Sequence, residues 1–222
     1  MAIKSIRRTQ RLITCLLVVL CVSLPASPFD APLSDESIRD AYFLGQRHDA
    51  SFMAKYIRFL PPPKTGPNIS SVTFLTPFAQ LAQLSDRHLG SYSAQQALLD
   101  HRGQQESVKI TVEIYLTNSY GALIPNPAAS RSSSSPPFIP RPYDFWRDFR
   151  VQVFDGDKLL SPSDSGGRPI SRCGRTGPCR PVGAALDLQF PSSAFTSGFV
   201  NIQVIPPEGD PISADFDLTR LR

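Results

Sequence analysis

The segment with the clearest potential for chemistry is Asp164-Ser165-Gly166-Gly167, a serine between an acidic residue and two glycines. A serine hydroxyl becomes a nucleophile when a histidine accepts its proton and a buried aspartate orients that histidine. The chain contains three histidines, His48, His88 and His101, so a general base for Ser165 has to be one of these.

With Pro169 two residues further on, this segment resembles the nucleophile segment Gly-Asp-Ser-Gly-Gly-Pro of chymotrypsin-like serine proteases. The resemblance implies a nucleophilic role for Ser165. It ends at Ser163, where that family has glycine, and at Arg168, which displaces the proline by one position. No histidine stands in the Ala-Ala-His-Cys context of the family's general base. We therefore predict a loop between two strands, in which Ser165 has no catalytic role.

Signatures of other enzyme classes are also missing from the sequence. It has no Gly-x-Ser-x-Gly elbow, no glycine-rich phosphate loop and no pair of histidines with metal-ligand spacing. The neighbours Asp86-Arg87-His88 and Asp100-His101 are predicted to be solvated surface residues. We predict no catalytic residue, no metal and no cofactor. A non-enzymatic function is favoured, with a secreted hydrolase as the alternative.

Cys173 and Cys179 enclose a short segment with two glycines and a proline, residues that allow a tight turn. In an exported chain such a pair is predicted to form a disulfide. Free thiols and a metal site are the alternatives, but no histidine lies nearby to complete a metal site.

The candidate binding residues are Tyr143, Phe145, Trp146 and Arg147, in a stretch that is dense in aromatic residues and arginine. Such residues are enriched where proteins bind other molecules, and aromatic rings also stack on sugars. The partner is unknown, and this surface suits a protein or a glycan. The alternative is that these rings pin the preceding loop to the edge of the fold. Strict strand alternation through this stretch would put Tyr143 and Phe145 on one face and Trp146 on the other.

Residues 1–26 have the layout of a signal peptide. A basic head without acidic residues precedes an apolar run at 12–24, and a helix-breaking Pro25-Ala26-Ser27-Pro28 follows. We predict cleavage near Ser27 and export, as a secreted or periplasmic protein; an uncleaved anchor and a buried core helix are the alternatives. Without this leader, 19 of the 23 basic residues remain against 19 acidic ones. Global charge therefore predicts no nucleic-acid partner, and membrane association only if the leader is retained.

The rest of the sequence predicts helices first and strands later. Residues 34–60 have helical spacing with a break between Gly45 and Asp49, and a strand begins near Ile69. Thr76-Pro77 begins either a helix or a continued bulged strand, and 93–101 is predicted to be helical. Apolar residues alternate with polar ones over 108–116, 149–153, 184–190, 200–204 and 212–218, with a short hairpin strand at 158–160.

These elements predict an α+β, mainly β protein, in which N-terminal helices pack on an antiparallel β-sandwich of immunoglobulin-like type. After the leader, a helical and mixed region is predicted at 27–105 and the sandwich region at 106–222. A long loop rich in proline and serine interrupts the sandwich region at 118–143. Loops of this length are usually functional or disordered.

Overall fold

A computed structural model of the chain describes residues 27–88, 92–127, 129, 136–174, 177 and 179–222. The predicted signal peptide at 1–26 lies outside the described residues, as do the serines at 132–135. No helix in the described part of the chain is long and apolar enough to cross a lipid bilayer.

Each of the three α-helices in the described residues begins at a hydroxyl side chain. Ser34, Thr76 and Ser93 accept hydrogen bonds from the backbone N–H group three residues further on, at 3.1, 3.3 and 3.1 Å. These caps satisfy N–H groups that have no partner inside the helix. Helix formation is thereby confirmed after Ser34 and Ser93, and it is the correct alternative after Thr76. The helices are α1 (Asp35–Gly45), α2 (Pro77–Arg87) and α3 (Ala94–His101).

The second half of the predicted helical stretch at 34–60 folds differently. Asp49 accepts a hydrogen bond from the N–H of Ser51 at 2.9 Å and begins a 3-10 helix, Ala50–Tyr56. The chain then extends as Ile57–Phe59 and pairs with 71–73. The helical prediction for these last residues is wrong, because hydrogen bonds to a neighbouring strand replace those of a helical turn.

Strands make up more of the fold than helices, and all their pairings are antiparallel. The alternation predicted for 108–116 is confirmed, since buried and half-buried side chains alternate there. In chain order the strands are β1 (Ile57–Phe59), β2 (Asn68–Leu75), β3 (Ser107–Tyr115), β4 (Leu123–Pro125), β5 (Phe138–Pro140), β6 (Arg150–Asp155), β7 (Lys158–Leu160), β8 (Asp164–Arg172), β9 (Arg180–Pro191), β10 (Phe199–Ile205) and β11 (Ile212–Asp217).

The strands form two main sheets and one small sheet among the described residues. The five-stranded sheet has the order β1-β2-β3-β9-β8, and the four-stranded sheet has the order β11-β10-β6-β7. β2 and β3 are neighbours, so the regions 27–105 and 106–222 share one sheet. The third sheet, β4-β5, lies within the long loop at 118–143 and gives this loop regular structure at both ends.

β8 is the longest of the strands that the sequence did not predict. The segment around Ser165 was predicted to be a loop, or turn, between two strands, yet from Asp164 onward it pairs with β9 as the edge of the five-stranded sheet. The turn prediction is wrong there because β9 offers a full row of backbone partners, which outweighs the low strand propensity of Gly166, Gly167 and Pro169. Proline is tolerated at this position because an edge strand has a side without hydrogen-bond partners. A disulfide joins Cys173 to Cys179 beyond the end of β8, as predicted.

One hydrophobic core takes side chains from both main sheets. Phe74 of β2 and Phe216 of β11 are fully buried, and their ring centroids lie 5.5 Å apart. A second, smaller core joins the three α-helices through Ile38, Phe78 and Leu98. The apolar faces of the strands and helices thus account for the interior of the protein.

Asp155, at the end of β6, is a buried acceptor for four donors. Its carboxylate accepts from the N–H and hydroxyl groups of Thr196 at 2.9 and 3.0 Å, and from those of Ser197 at 3.1 and 2.6 Å. Burial alone would raise the pKa of Asp155, but the hydrogen bonds from Ser197 and Thr196 together hold it below its ordinary value. The charged carboxylate therefore ties the β6–β7 turn to the segment before β10.

Arg222 connects the far end of the described chain to the helices. Its guanidinium lies 3.2 Å from both Asp30 and Asp40 and stacks on the ring of Phe78, 4.6 Å from the ring centroid. Its backbone carbonyl accepts a hydrogen bond from the Tyr56 hydroxyl at 3.2 Å. Because three ranges distant in sequence meet at this residue, we expect it to contribute to stability.

Candidate functional site

The segment that carries the predicted binding residues is a turn of 3-10 helix, Phe145–Asp148, which leads into β6. Phe145 is only 4% exposed and contacts the rings of Tyr120 and Phe149 at centroid distances of 6.3 and 6.4 Å. Tyr143, in contrast, is 69% exposed. Strict strand alternation does not extend through this stretch, because the chain forms a 3-10 turn from Phe145 to Asp148.

Trp146 lies over the backbone of β8. It is half-buried, and its indole occupies the position that a side chain at Gly167 would need. A Cβ at Gly167 would overlap the indole ring, so only glycine allows this close approach. The pair joins the 3-10 helix before β6 to the edge strand of the other main sheet.

Next to this contact is a groove of about 670 Å³, which we call the Trp146 groove. Apolar side chains of β9 and of the β6 region form much of its lining, and Arg147 and Ser165 are its polar side chains. β8 forms one wall and has no strand on its other side among the described residues, so the groove opens at a free sheet edge. The lining residues are Trp146, Arg147, Phe149, Val151, Pro162, Ser165, Gly166, Gly167, Leu186 and Leu188.

The structure brings two of the four predicted binding residues to this groove. Trp146 and Arg147 line it, whereas Phe145 supports Trp146 from the core at a centroid distance of 6.3 Å. Tyr143 lines a separate small cavity with Pro181. The Arg147 guanidinium is exposed and lies 3.5 Å from the carboxylate of Asp144. The predicted cluster therefore divides into a pair in the groove, the buried ring of Phe145 and the exposed ring of Tyr143, which lies outside the groove and lines the small cavity together with Phe145.

Ser165 faces the groove without a catalytic partner in the described residues. No hydrogen bond joins it to a histidine in that part of the chain. His48 lies 2.9 Å from Asp86, and His88 lies 2.9 Å from the carbonyl oxygen of Leu84. Both contacts involve the helices, so neither histidine is placed to accept a proton from Ser165.

His101 forms a second polar centre that the sequence did not reveal. Its Nε2 lies 2.7 Å from Oε1 of Glu106, which also accepts a hydrogen bond from the N–H of Leu33 at 2.7 Å. The side chains are 17% and 9% exposed, so His101 is not the solvated residue that was predicted. A cleft of about 500 Å³ is lined by both, together with Ser192 and Ser193. Two features could have suggested the pair: the short His–Glu spacing and the helix-ending glycine between them.

Metal binding has no geometric support in the described part of the chain, which contains no group of three His, Cys, Asp or Glu side chains suited to hold an ion. Cys173 and Cys179 are bonded to each other and are therefore not free to act as thiolate ligands.

Comparison with known proteins adds no assignment: no family model matches the chain, and no curated protein matches it significantly. The Trp146 groove and the His101–Glu106 pair are the two features of the described residues that bear on function.

Proposed function

We propose that the chain is an exported, non-enzymatic binding domain that uses the Trp146 groove as its contact surface. The observation that carries this proposal is the indole of Trp146, which is held on Gly167 and is partly exposed beside a groove lined by apolar and polar residues. A rigid aromatic ring beside apolar walls, with an arginine at the same site, is the usual composition of a binding hot spot.

The favoured partner is an extended segment of another protein. β8 is an edge strand with no pairing partner on its outer side among the described residues, so a second backbone can pair with it there. Such segments bind by adding to a sheet edge while one side chain enters a neighbouring pocket. An apolar anchor suits the walls of the groove, and an acidic neighbour suits Arg147. A glycan that stacks on Trp146 is the other outcome of the test.

Trp146 is the only tryptophan in the chain, so its fluorescence reports directly on the groove. The test titrates the protein with an array of extended peptides, each with one apolar side chain beside an acidic one, and in parallel with a glycan array. We expect a blue shift of the emission with peptides, because a bound side chain removes water from the indole.

A blocking variant makes this test specific. Ser165→Phe fills the groove, whereas Ser171→Phe makes the same change on β8 outside it. We expect the first variant to lose peptide binding and the second to keep it. Emission that responds to no peptide or glycan, or equal binding by both variants, would contradict the proposal.

Export is the second part of the proposal. It is supported by the Cys173–Cys179 disulfide, because disulfides persist in oxidising compartments. We expect the intact mass of the protein recovered outside the cytoplasm to correspond to a chain that begins near Ser27. A product that retains residues 1–26 would contradict cleavage.

We also propose that the two main sheets face each other as a β-sandwich of immunoglobulin-like type. The proposal is supported by the shared core and by the contact between Phe74 and Phe216. In solution we expect nuclear Overhauser effects between the rings of these two residues. Their absence in an assigned spectrum would contradict face-to-face packing.

A secreted hydrolase is the second candidate, and the specific observation in its favour is the His101–Glu106 pair beside a cleft. A carboxylate that orients a histidine is part of general acid–base catalysis. The test measures hydrolysis of ester, peptide and glycoside substrates by wild type and by His101→Ala. Turnover that the variant loses would support the hydrolase, and an inactive wild type would exclude it for those substrates.

A further inference from the structure

The hairpin of β8 and β9 carries four arginines and only two acidic residues, Asp164 and Asp187. The stretch 165–186 contains no Asp or Glu and four arginines, Arg168, Arg172, Arg175 and Arg180. Residues 27–222 contain equal numbers of basic and acidic side chains. The positive charge is therefore concentrated at this hairpin and is balanced elsewhere in the chain.

Two of these arginines face each other directly across the hairpin. Arg172 and Arg180 are partners in the antiparallel register, just before the disulfide, and both are exposed. Like charges in this arrangement destabilise a sheet. Neither side chain has an ion pair with a described residue, whereas Arg168 lies 3.6 Å from Asp187. We call these two residues the arginine pair. An anion between them would relieve the repulsion by accepting hydrogen bonds from both guanidinium groups.

The small sheet of β4 and β5 exposes a face that is entirely apolar. In each strand the two outer residues are exposed and the central residue is half-buried. Leu123 pairs with Pro140, and Pro125 pairs with Phe138, so all four exposed side chains belong to one face, the apolar face. Leu123 is 61% exposed and Phe138 is 56% exposed. A contiguous apolar surface on a soluble domain usually marks an interaction site.

The chain segments that carry the apolar face and the arginine pair are adjacent in the structure. Pro181 follows Arg180 in the chain and lines a small cavity with Ala122 and Arg141. These two residues flank the small sheet, because the N–H of Arg141 donates to the carbonyl oxygen of Ala122 at 2.7 Å, next to the pair of Leu123 and Pro140. Residues 118–143 contain no acidic residue either.

We propose that the arginine pair and the apolar face together dock on the surface of an anionic lipid bilayer. Arginines bind lipid phosphates, and apolar side chains enter the boundary between headgroups and acyl chains. The apolar face favours a lipid bilayer over other polyanions. An acidic polysaccharide or a nucleic acid would bind the arginines and leave Leu123 and Phe138 exposed to water. The inference does not depend on the Trp146 groove.

The test measures co-sedimentation of the full chain with vesicles of phosphatidylcholine, with and without phosphatidylglycerol. We expect binding to the anionic vesicles that falls as salt is added. The double change Arg172→Gln and Arg180→Gln should weaken this binding about 30-fold, since each arginine near an anionic surface contributes about 1 kcal/mol. Replacing Leu123 and Phe138 by Ser should weaken it as well. Residues 1–26 are identical in all variants, so differences between variants report on the folded part.

A matched control removes the same charge from the region of α1, by Arg39→Gln and Arg47→Gln, two exposed arginines. We expect this control to bind vesicles like the wild type. All variants should keep their thermal melting profile, because the changed side chains are exposed. Three results would overturn the proposal: no binding to anionic vesicles, an equal loss in the control, or a loss in the arginine variant alone together with binding to heparin or DNA.

Discussion

Gly167→Ala is the substitution that tests the central contact of the candidate site. The new methyl group would overlap the indole of Trp146, and the close atoms belong to a rigid ring that is already held by Phe145 beneath it. A flexible side chain could move aside, but an indole has to leave the surface of β8. We therefore expect the variant to lose most of the packing between Trp146 and the sheet.

The size of the loss follows from the burial of Trp146. Removing a fully buried tryptophan side chain costs about 3 to 5 kcal/mol, and Trp146 is half-buried, so its contact contributes about 2 kcal/mol. Gly167→Ala and Trp146→Ala should each cost about this amount. Together they should cost only about 1 kcal/mol, because alanine fits once the indole is absent and loses less backbone entropy in a strand than glycine.

Urea unfolding followed by circular dichroism gives the four free energies of this double-mutant cycle. In Gly167→Ala the emission of the single tryptophan should shift to the red, because the indole becomes exposed to water. If the two costs are additive, or if the emission of Gly167→Ala equals that of wild type, Trp146 does not pack on β8 and the Trp146 groove is not formed as described.

Four further expectations concern stability and reactivity. Asp155→Asn should cost about 2 kcal/mol near neutral pH, by urea unfolding, because four donors lose a charged acceptor. The pKa of Asp155 is about 4 in the unfolded chain and lower in the folded protein. The cost should therefore decrease as the pH falls below about 4, and it should vanish once the pH lies below the folded-state pKa, because protonation removes the charge that folding stabilises. Replacing Cys173 and Cys179 by Ser should cost about 2 kcal/mol or less, because the disulfide closes a short loop; two free thiols in the denatured, unreduced wild type would refute the bond. Arg222→Ala should lower the free energy of unfolding by about 1 to 2 kcal/mol through two exposed ion pairs and one ring contact; an unchanged value would show that these contacts contribute nothing. Ser165 should remain unlabelled by a fluorophosphonate probe in mass spectrometry, and labelling would show that it is a nucleophile after all.

The sequence predicted those parts of the fold that local patterns determine. β3 was predicted because apolar and polar residues alternate over nine residues, and one face of the strand is buried along its whole length. The helix starts at Ser34 and Ser93 were predicted because a cap is a contact between a side chain and a backbone three residues away. In both cases the information lies within one element, and tertiary contacts only reinforce it.

Pairing between distant segments was beyond the reach of the sequence. Ile57–Phe59 continues a helical pattern but becomes an edge strand, because β2 presents unpaired backbone groups beside it. The contact of His101 with Glu106 was not predicted for a related reason. Asp100 was the obvious acidic neighbour by position, yet the turn after α3 brings Glu106 back to the ring instead.

The candidate site shows most clearly how local and tertiary signals can oppose each other. Trp146 was recognisable as a candidate binding residue because it is a lone tryptophan in an aromatic and basic stretch. Its contact partner, Gly167, could not be recognised in the sequence because glycine has no side chain that would indicate a contact. Gly166 and Gly167 made the strand at 164–172 unpredictable, because glycine lowers strand propensity. The same missing side chain at Gly167 makes room for the indole and creates the wall of the groove. The glycine that made β8 difficult to predict is therefore the residue that allows the site to form. More generally, a residue that lowers strand propensity can mark a position where a side chain from another element packs against the strand.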